Sequence, residues 1–261
     1  MDRCQYHGGG HLPHSSQKRL ARKKSGITTS DLPHEHSCKI VTSVWAKQVS
    51  KSLEQQSVFE GSQEIFWNDW STWRQISLFI STLQDVERNQ GTICVTFLDF
   101  ENHFNTISLP ALFLLLQKFG MIENDVQALE SYYEHLHMRE MHADGKKSAK
   151  IPLHRCLRQG CPLSPILGGV VVNVMLRGLD FKRGGLSQGD VVTNTLYFAD
   201  EPKLMTTNVH DTNVLLACVN SYCQWAGVKI NMGKAVVTGY DYKRQCPLDL
   251  SSLNSEIASL K

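Results

Sequence analysis

The run TICVTFLD, residues 92–99, most constrains what this chain can fold into. It is apolar and β-branched, it follows the turn-forming Asn89-Gln90-Gly91, and it is too short for a buried helix. It reads as a buried strand. Its last residue is an acid, Asp99. A carboxylate at the mouth of a buried strand costs free energy unless it is solvated, paired or bound to a metal. A second acid of this kind lies in LYFADEPKLM, residues 196–205, where Asp200-Glu201-Pro202 reads as a tight turn between strands at 192–198 and 203–207. If the two strands are neighbours in one sheet, their carboxylates converge, and converging oxygen ligands suit Mg²⁺. The plainer reading is two loop acids that cap turns, as surface acids often do.

The rest of the chain supplies a setting for these strands. Helices are expected over 40–56, 71–88, 123–136, 163–179 and 210–225, by helical spacing in 71–88 and 210–225, and another from Ser108 and Pro110 to Phe119, with Gly120 as its stop. In 71–88 the spaced residues are Trp73, Ile76, Phe79, Ile80, Leu83 and Val86, with Ser71 or Thr72 available as cap. Asp144-Gly145 marks a hairpin between 138–142 and 148–155, and 227–231 and 235–240 are short strands. Hairpins outnumber crossovers. The expected class is therefore α+β, an antiparallel sheet with helices on one face.

Composition adds bounds. With 41% hydrophobic and 20% charged residues, the 261-residue chain can bury one sizeable core and is not disordered as a whole. A net charge of +2 is silent on nucleic acid. Residues 1–24 nonetheless carry Arg3, Lys18, Arg19, Arg22, Lys23 and Lys24 against Asp2 alone. The eight cysteines include no CxxC, and no signal peptide opens the chain, so free thiols in a reducing compartment are expected. The longest apolar stretch, 163–180, is broken by Ser164, Pro165, Gly168, Gly169, Asn173 and Arg177, which argues against a membrane span. A soluble, intracellular protein is expected. Residues 1–37 read as a disordered basic, His-rich tail. Cys4, His7, His11 and His14, with His34, His36 and Cys38 beyond them, are spaced as zinc ligands can be, but match no finger pattern and have no core to close over a metal. The basic run 18–24 has the composition of a nuclear-import or nucleic-acid-binding segment, or of a merely solvated one.

A third segment is more particular. In LRQGCPLSPILGG, residues 157–169, Gly160 permits close backbone approach or a positive φ, and Pro162 and Pro165 stiffen the entry to the next helix. Arg158 and Gln159 precede it, aimed at whatever fills the cleft.

RQGCPLSP resembles motif B of reverse transcriptases, most closely those of non-long-terminal-repeat (LINE-type) retrotransposons. TFLDFENHFNTI, residues 96–107, is similar to their motif A, YFADE, residues 197–201, to motif C, and GVKINMGKAVV, residues 227–237, to motif D. The four stand in family order, and the resemblance covers roughly residues 45–240. It implies a polymerase palm carrying out RNA-directed DNA synthesis by two-metal nucleotidyl transfer to a primer 3′-hydroxyl. It implies an RNA template, a DNA primer and deoxynucleotides as partners, and two Mg²⁺ ions, with Mn²⁺ as a possible substitute. Asp99 and Asp200 match the metal-binding aspartates, Glu201 the acid beside them, and the Phe100 carbonyl a further metal ligand. Phe104 matches the bulky residue that excludes a ribose 2′-hydroxyl. Arg158, Gln159 and Gly160 would line the nucleotide and template base. Lys234 matches a proton donor to the pyrophosphate, or is an ordinary turn lysine.

Several positions depart from the family pattern. Glu201 stands for a second aspartate, Asn105 for an aspartate that is not a metal ligand, and His103 for a small residue, where a large ring would crowd the cleft. Gly168-Gly169 replaces an apolar pair, at a cost of roughly 1 kcal/mol per glycine in a helix. In QEIFWNDWSTWRQI, residues 63–76, the family's glycine and basic residue are missing. The expected organisation is a tail (1–37), partial fingers (38–91), a palm (92–245) and a C-terminal remnant (246–261) with no complete thumb. The same features leave open a catalytically dead pseudo-polymerase that binds nucleic acid, or a non-functional retroelement remnant.

Overall fold

The computed structural model describes residues 26–29, 35–59, 72–134, 137–141, 148–152, 154–158, 160–179, 183–188, 191–198 and 201–253. In chain order the elements are β1 (Gly26–Thr29), α1 (Glu35–Gln55), α2 (Thr72–Arg88), β2 (Thr92–Phe97), β3 (Phe100–Glu101), α3 (His103–Thr106), α4 (Leu109–Lys118) and α5 (Glu123–Glu134). They continue as β4 (His137–Met141), β5 (Ile151–Pro152), α6 (Ser164–Gly178), β6 (Leu186–Gln188), β7 (Val191–Thr193), β8 (Thr195–Phe198) and β9 (Glu201–Thr206). Last come α7 (Val209–Ala226), β10 (Lys229–Ile230), β11 (Val236–Asp241) and β12 (Cys246–Pro247).

The main sheet has the order β12-β11-β2-β9-β8, and every pairing in it is antiparallel. The run that reads as a buried strand is its centre. β2 is covered on both faces, which is why it is almost continuously apolar rather than alternating. Cys94, together with Tyr197 and Leu204 of the neighbouring strands, joins the larger core with α4, α6 and α7. Ile93 and Val95 join Leu196, Met205 and Val86 in a second core beneath α2. Helices on one face alone were expected; α2 closes the other. Its buried stripe also differs from the apolar spacing. Gln75, Thr82 and Val86 are buried, whereas Trp73, Ile76 and Ile80 are exposed. Gln75 is drawn inward because its Nε2 donates to the Tyr197 carbonyl at 2.6 Å.

The hairpin β8–β9 is tighter than the sequence reading. Glu201 and Pro202 belong to β9, and Glu201 pairs with Phe198. Part of the preceding apolar run pairs elsewhere, as β7 with β6. Within the segment read as a tail, 26–29 forms β1 against β4, and α1 starts at Glu35. The Cys/His cluster at 4–14 and the basic run 18–24 lie outside the described residues. The β4–β5 pairing bears out the expected hairpin strands, and its Asp144-Gly145 turn also lies outside the described residues.

Four helices end in the same way. After α1, Ser57 N–H reaches the Glu54 carbonyl (2.9 Å) and Val58 N–H the Leu53 carbonyl (3.0 Å). After α4, Gly120 bonds Gln117 (2.9 Å) and Met121 bonds Leu116 (3.0 Å). α2 and α7 close with Gly91 N–H on Val86 and Val228 N–H on Cys223. This closure needs a left-handed residue. Gly120 and Gly227 supply it at little cost; Ser57 and Gln90 do so with φ of 49° and 50°.

The end of α1 is held by α6. Asn173, fully buried, donates Nδ2 to the Val58 carbonyl at 2.5 Å, and Arg177 Nη2 donates to the same oxygen at 2.9 Å. Asn173→Ala removes one of these donors and leaves a void. It is expected to cost about 2 kcal/mol of unfolding free energy, measured as a shift in the urea midpoint at constant slope.

Candidate active site

Two antiparallel chains, 92–101 and 229–241, pair twice and part in between. β2 pairs β11 with Phe97 opposite Val236, and β3 pairs β10 with Phe100 opposite Ile230. The gap holds Leu98 and Asp99 on one chain and residues 231–235 on the other. Leu98 N–H continues the main sheet by bonding the Pro202 carbonyl at 3.0 Å. At Asp99 the chain leaves that sheet for the small ribbon. The longer side of the gap becomes a turn, with Lys234 and Ala235 N–H both on the Asn231 carbonyl at 3.0 Å.

This turn grips Asp99. Asn231 N–H donates to the Asp99 carbonyl at 2.8 Å, and Asn231 Nδ2 donates to Asp99 Oδ2 at 3.0 Å. Lys234 Nζ lies 3.0 Å from the same Oδ2. The Asp99 side chain is 12% exposed and that of Lys234 65%, so a nearly buried carboxylate is matched by a cation at the surface. Asn231 was not singled out from sequence. Its signal was present: an amide at the turn between two short strands, three residues before Lys234.

An open cleft of about 440 Å³ lies over this point, lined by Asp99, Phe100, Glu101, Phe104, Asn231 and Lys234 among others. Residues 100–104 thus form the cleft wall as well as the end of the central strand. Phe104 is half-buried. Its ring packs edge-on to His103, with centroids 5.8 Å apart. On its other side it meets α6, where a Cβ added to Gly168 would come within 2.9 Å of Cε1.

His103 was expected to crowd the cleft; it is among the cleft's lining residues, but its ring does not project into the open space. Its ring is buried, stacks on Phe100 at 5.5 Å, and shares a hydrogen bond with the Tyr222 hydroxyl at 3.1 Å. Burial pulls its pKa down to about 4, so it is neutral at pH 7. Asn105 Oδ1 accepts from Cys156 Sγ at 3.4 Å. Residues 154–157 are laced to the same segment, with Cys156 N–H on the Ile107 carbonyl (3.0 Å) and Leu157 N–H on the Phe104 carbonyl (2.8 Å).

Of the other expected site residues, Gly160 takes φ +75°, and open space surrounds its missing Cβ. The conformation, not a close neighbour, calls for glycine there. Arg158 turns toward α5, where Nη1 donates to the Tyr132 hydroxyl at 3.5 Å, and its carbonyl accepts from Ser164 Oγ at 2.6 Å. It does not line the cleft at Asp99. Glu201 is exposed at the start of β9. Gln159 and Asp200 lie outside the described residues. The condition set for the two acids is met by their strands, since β2 and β9 are direct neighbours.

The oxygen donors at the cleft are carboxylate and amide groups, a hard set that fits Mg²⁺ better than a softer metal. The ammonium already at Asp99 Oδ2 shows that the position accepts positive charge. Among the described residues, no group of three or more His, Cys, Asp or Glu side chains is placed to hold a metal by itself. No described helix is long and apolar enough to cross a membrane.

The buried His103 makes stability depend on pH. The unfolded chain takes up a proton near pH 6.5 and the folded chain only near 4. Stability is therefore whole above 6.5 and falls between 6.5 and 4, by up to about 3 kcal/mol. Carboxylates add their own acid loss, so the comparison is with His103→Ala. That variant is less stable at pH 7, and its urea midpoint should fall less steeply over this interval.

Comparison with known proteins agrees with this geometry. Residues 24–245 match the family model "Reverse transcriptase (RNA-dependent DNA polymerase)". Over 170 residues the chain is 30% identical to the Retrovirus-related Pol polyprotein from type-2 retrotransposable element R2DM of Drosophila melanogaster, covering 63% of this chain and 16% of that protein. A Pol polyprotein from type-1 retrotransposable element R2 of Popillia japonica is 28% identical over 162 residues, covering 61% and 23%. The chain thus spans less than a quarter of the length of these relatives. In fold it resembles apo telomerase from Candida tropicalis truncated from its C-terminal domain, with TM-score 0.54, 14% identity and coverage of 77% and 41%. Telomerase from the same organism in complex with a fragment of telomeric RNA gives TM-score 0.56 at 13% identity, covering 74% and 33%. The chain belongs to the reverse transcriptase family, and the R2 Pol polyproteins of non-long-terminal-repeat retrotransposons are among its relatives.

Proposed function

We propose that the chain carries out RNA-directed DNA synthesis for a retroelement, adding deoxynucleotides to a DNA primer 3′-hydroxyl on an RNA template. The observation that carries this reading is the nearly buried Asp99 carboxylate, held at the end of the central strand by Asn231 and Lys234 under an open cleft. Asp99, Asp200 and the Phe100 carbonyl would hold two Mg²⁺ ions, for which Mn²⁺ can substitute. Bound there, the ions would lower the pKa of the attacking hydroxyl and stabilise charge on the leaving phosphate. Glu201, one methylene longer than the family's aspartate, adds negative charge beside them.

This chain's own residues do the rest. Asn231 fixes both the backbone and the carboxylate of Asp99, so its orientation does not depend on a ligand. Lys234, surface-exposed and within reach of the cleft, holds a proton it can deliver to the departing pyrophosphate. Phe104 closes the cleft floor where a ribose 2′-hydroxyl would sit. Gln159 and Gly160 would meet the nucleotide and template base, with Arg158 behind them bracing the loop. The basic run 18–24 supports a nuclear site of action.

A binding-only reading draws on one observation, the Lys234–Asp99 pair, which already neutralises the carboxylate. Primer extension on an RNA template, in Mg²⁺ and then Mn²⁺, separates the two. Extension should be measurable for the unaltered chain, fall by about 10³-fold or more in Asp99→Asn, and fall by about 10²-fold in Lys234→Ala. No extension by the unaltered chain at high concentration, with steeply salt-dependent binding to an RNA–DNA duplex, would favour binding without chemistry.

A further inference from the structure

We infer that Gly168 is a specificity-determining position: the bare backbone of α6 there seats the Phe104 ring and so sets the room left for the sugar of an incoming nucleotide. The inference rests on the reading of Phe104 given above. A Cβ at position 168 would lie 2.9 Å from Phe104 Cε1, 3.5 Å from Cζ and 3.6 Å from Cδ1. All three atoms lie on one edge of the ring, so that edge rests directly on the helix backbone.

Phe104 lines the cleft, so the ring has open room on that side. Its backbone is tied down by Leu157 N–H on the Phe104 carbonyl at 2.8 Å. Its other flank meets His103, itself stacked on Phe100 and bonded to Tyr222. α6 lies against its Cδ1–Cζ edge, and the ring also borders the cleft. A methyl group at 168 therefore moves the ring toward the place where the sugar would lie. Glycine within α6 is otherwise unfavourable, since alanine is the better helix former. His103 and Gly168 form one arrangement. The larger ring at 103 closes one flank of Phe104, and the missing side chain at 168 opens the other.

Two measurements decide the matter. The first is a thermal-unfolding cycle over Gly168→Ala and Phe104→Ala, which needs no activity. Gly168→Ala should lower the Tm with Phe104 present and raise it in the Phe104→Ala background. Equal shifts in both backgrounds would overturn the seating. The second is equilibrium binding of dATP, templated by rU, to the full chain on an RNA template with a dideoxy-terminated DNA primer. Gly168→Ala should weaken dATP about tenfold, as one methyl in a tight pocket does. The same change in the Phe104→Ala background should have no effect. An unchanged dATP affinity, or no measurable binding by the unaltered chain, would overturn the inference. The gate reading fails separately, if Phe104→Ala leaves the preference for dATP over ATP unaltered while the thermal cycle still shows coupling.

Discussion

Two paired chains cannot keep one ladder when one of them has two residues between pairings and the other has five. The mismatch between Leu98-Asp99 and residues 231–235 ends the main sheet at that level and starts the β3–β10 ribbon. It behaves as an enlarged bulge, and bulges re-aim side chains. The extra length on the motif D side supplies the turn bearing Asn231 and Lys234. The short side supplies a single carboxylate facing that turn. Asp99 is therefore positioned by backbone count as much as by its own contacts. Asn231 commits its N–H, carbonyl and amide to the junction, so a change in either chain's length would unseat the carboxylate.

The same junction accounts for the aromatic block below it. Once β3 has turned away from the main sheet, Phe100 stacks on His103, His103 meets Phe104 edge-on, and Tyr222 packs against Phe100 and bonds His103. Taken singly, His103, Asn105 and Gly168 are departures from a family pattern. His103 and Gly168 both meet Phe104, and Asn105 bonds Cys156, whose neighbour Leu157 is tied to the Phe104 carbonyl. His103 fills space beneath the cleft and Gly168 yields space to Phe104. Asn105 accepts from Cys156, whose φ of 101° is unusual for a residue with a side chain. Substitutions that each look like decay are mutually consistent in three dimensions, and consistency across levels is what a foldable sequence shows.

Much of this was legible in the sequence because it depended on local pattern. The apolar run 92–99 announced a buried strand, and Gly120 announced the end of α4 because glycine takes a positive φ at little cost. The helices expected over 123–136 and 163–179 stand at 123–134 and 164–178. What escaped depended on partners distant in sequence. Gln75 is buried only because the Tyr197 carbonyl waits 122 residues away, and Trp73 and Ile76 are exposed although their spacing looked like a core stripe. Pro202 read as a turn residue, yet it lies in β9 and its carbonyl extends the ladder to Leu98. Asn231 was hidden among ordinary turn residues because its three roles exist only once the two chains have been paired. The segments read as motifs A and D meet at the cleft over Asp99, and the contacts between them required the fold.

The pairing of Asp99 with Lys234 has a consequence that follows from exposure. A carboxylate 12% exposed would be expensive to leave alone, but the cation beside it is 65% exposed and keeps most of its hydration. Such a pair is worth at most about 1 kcal/mol, because water screens the lysine and holding its long chain in place costs entropy. Asn231 then matters more than Lys234 to the unliganded site, since it holds both the backbone and the carboxylate of Asp99. The amide holds the acid in register, and the exposed ammonium balances its charge. In the proposed reaction, an exposed cation facing an acid that Asn231 holds separately suits a group that would meet a carboxylate at one stage and a departing phosphate at another.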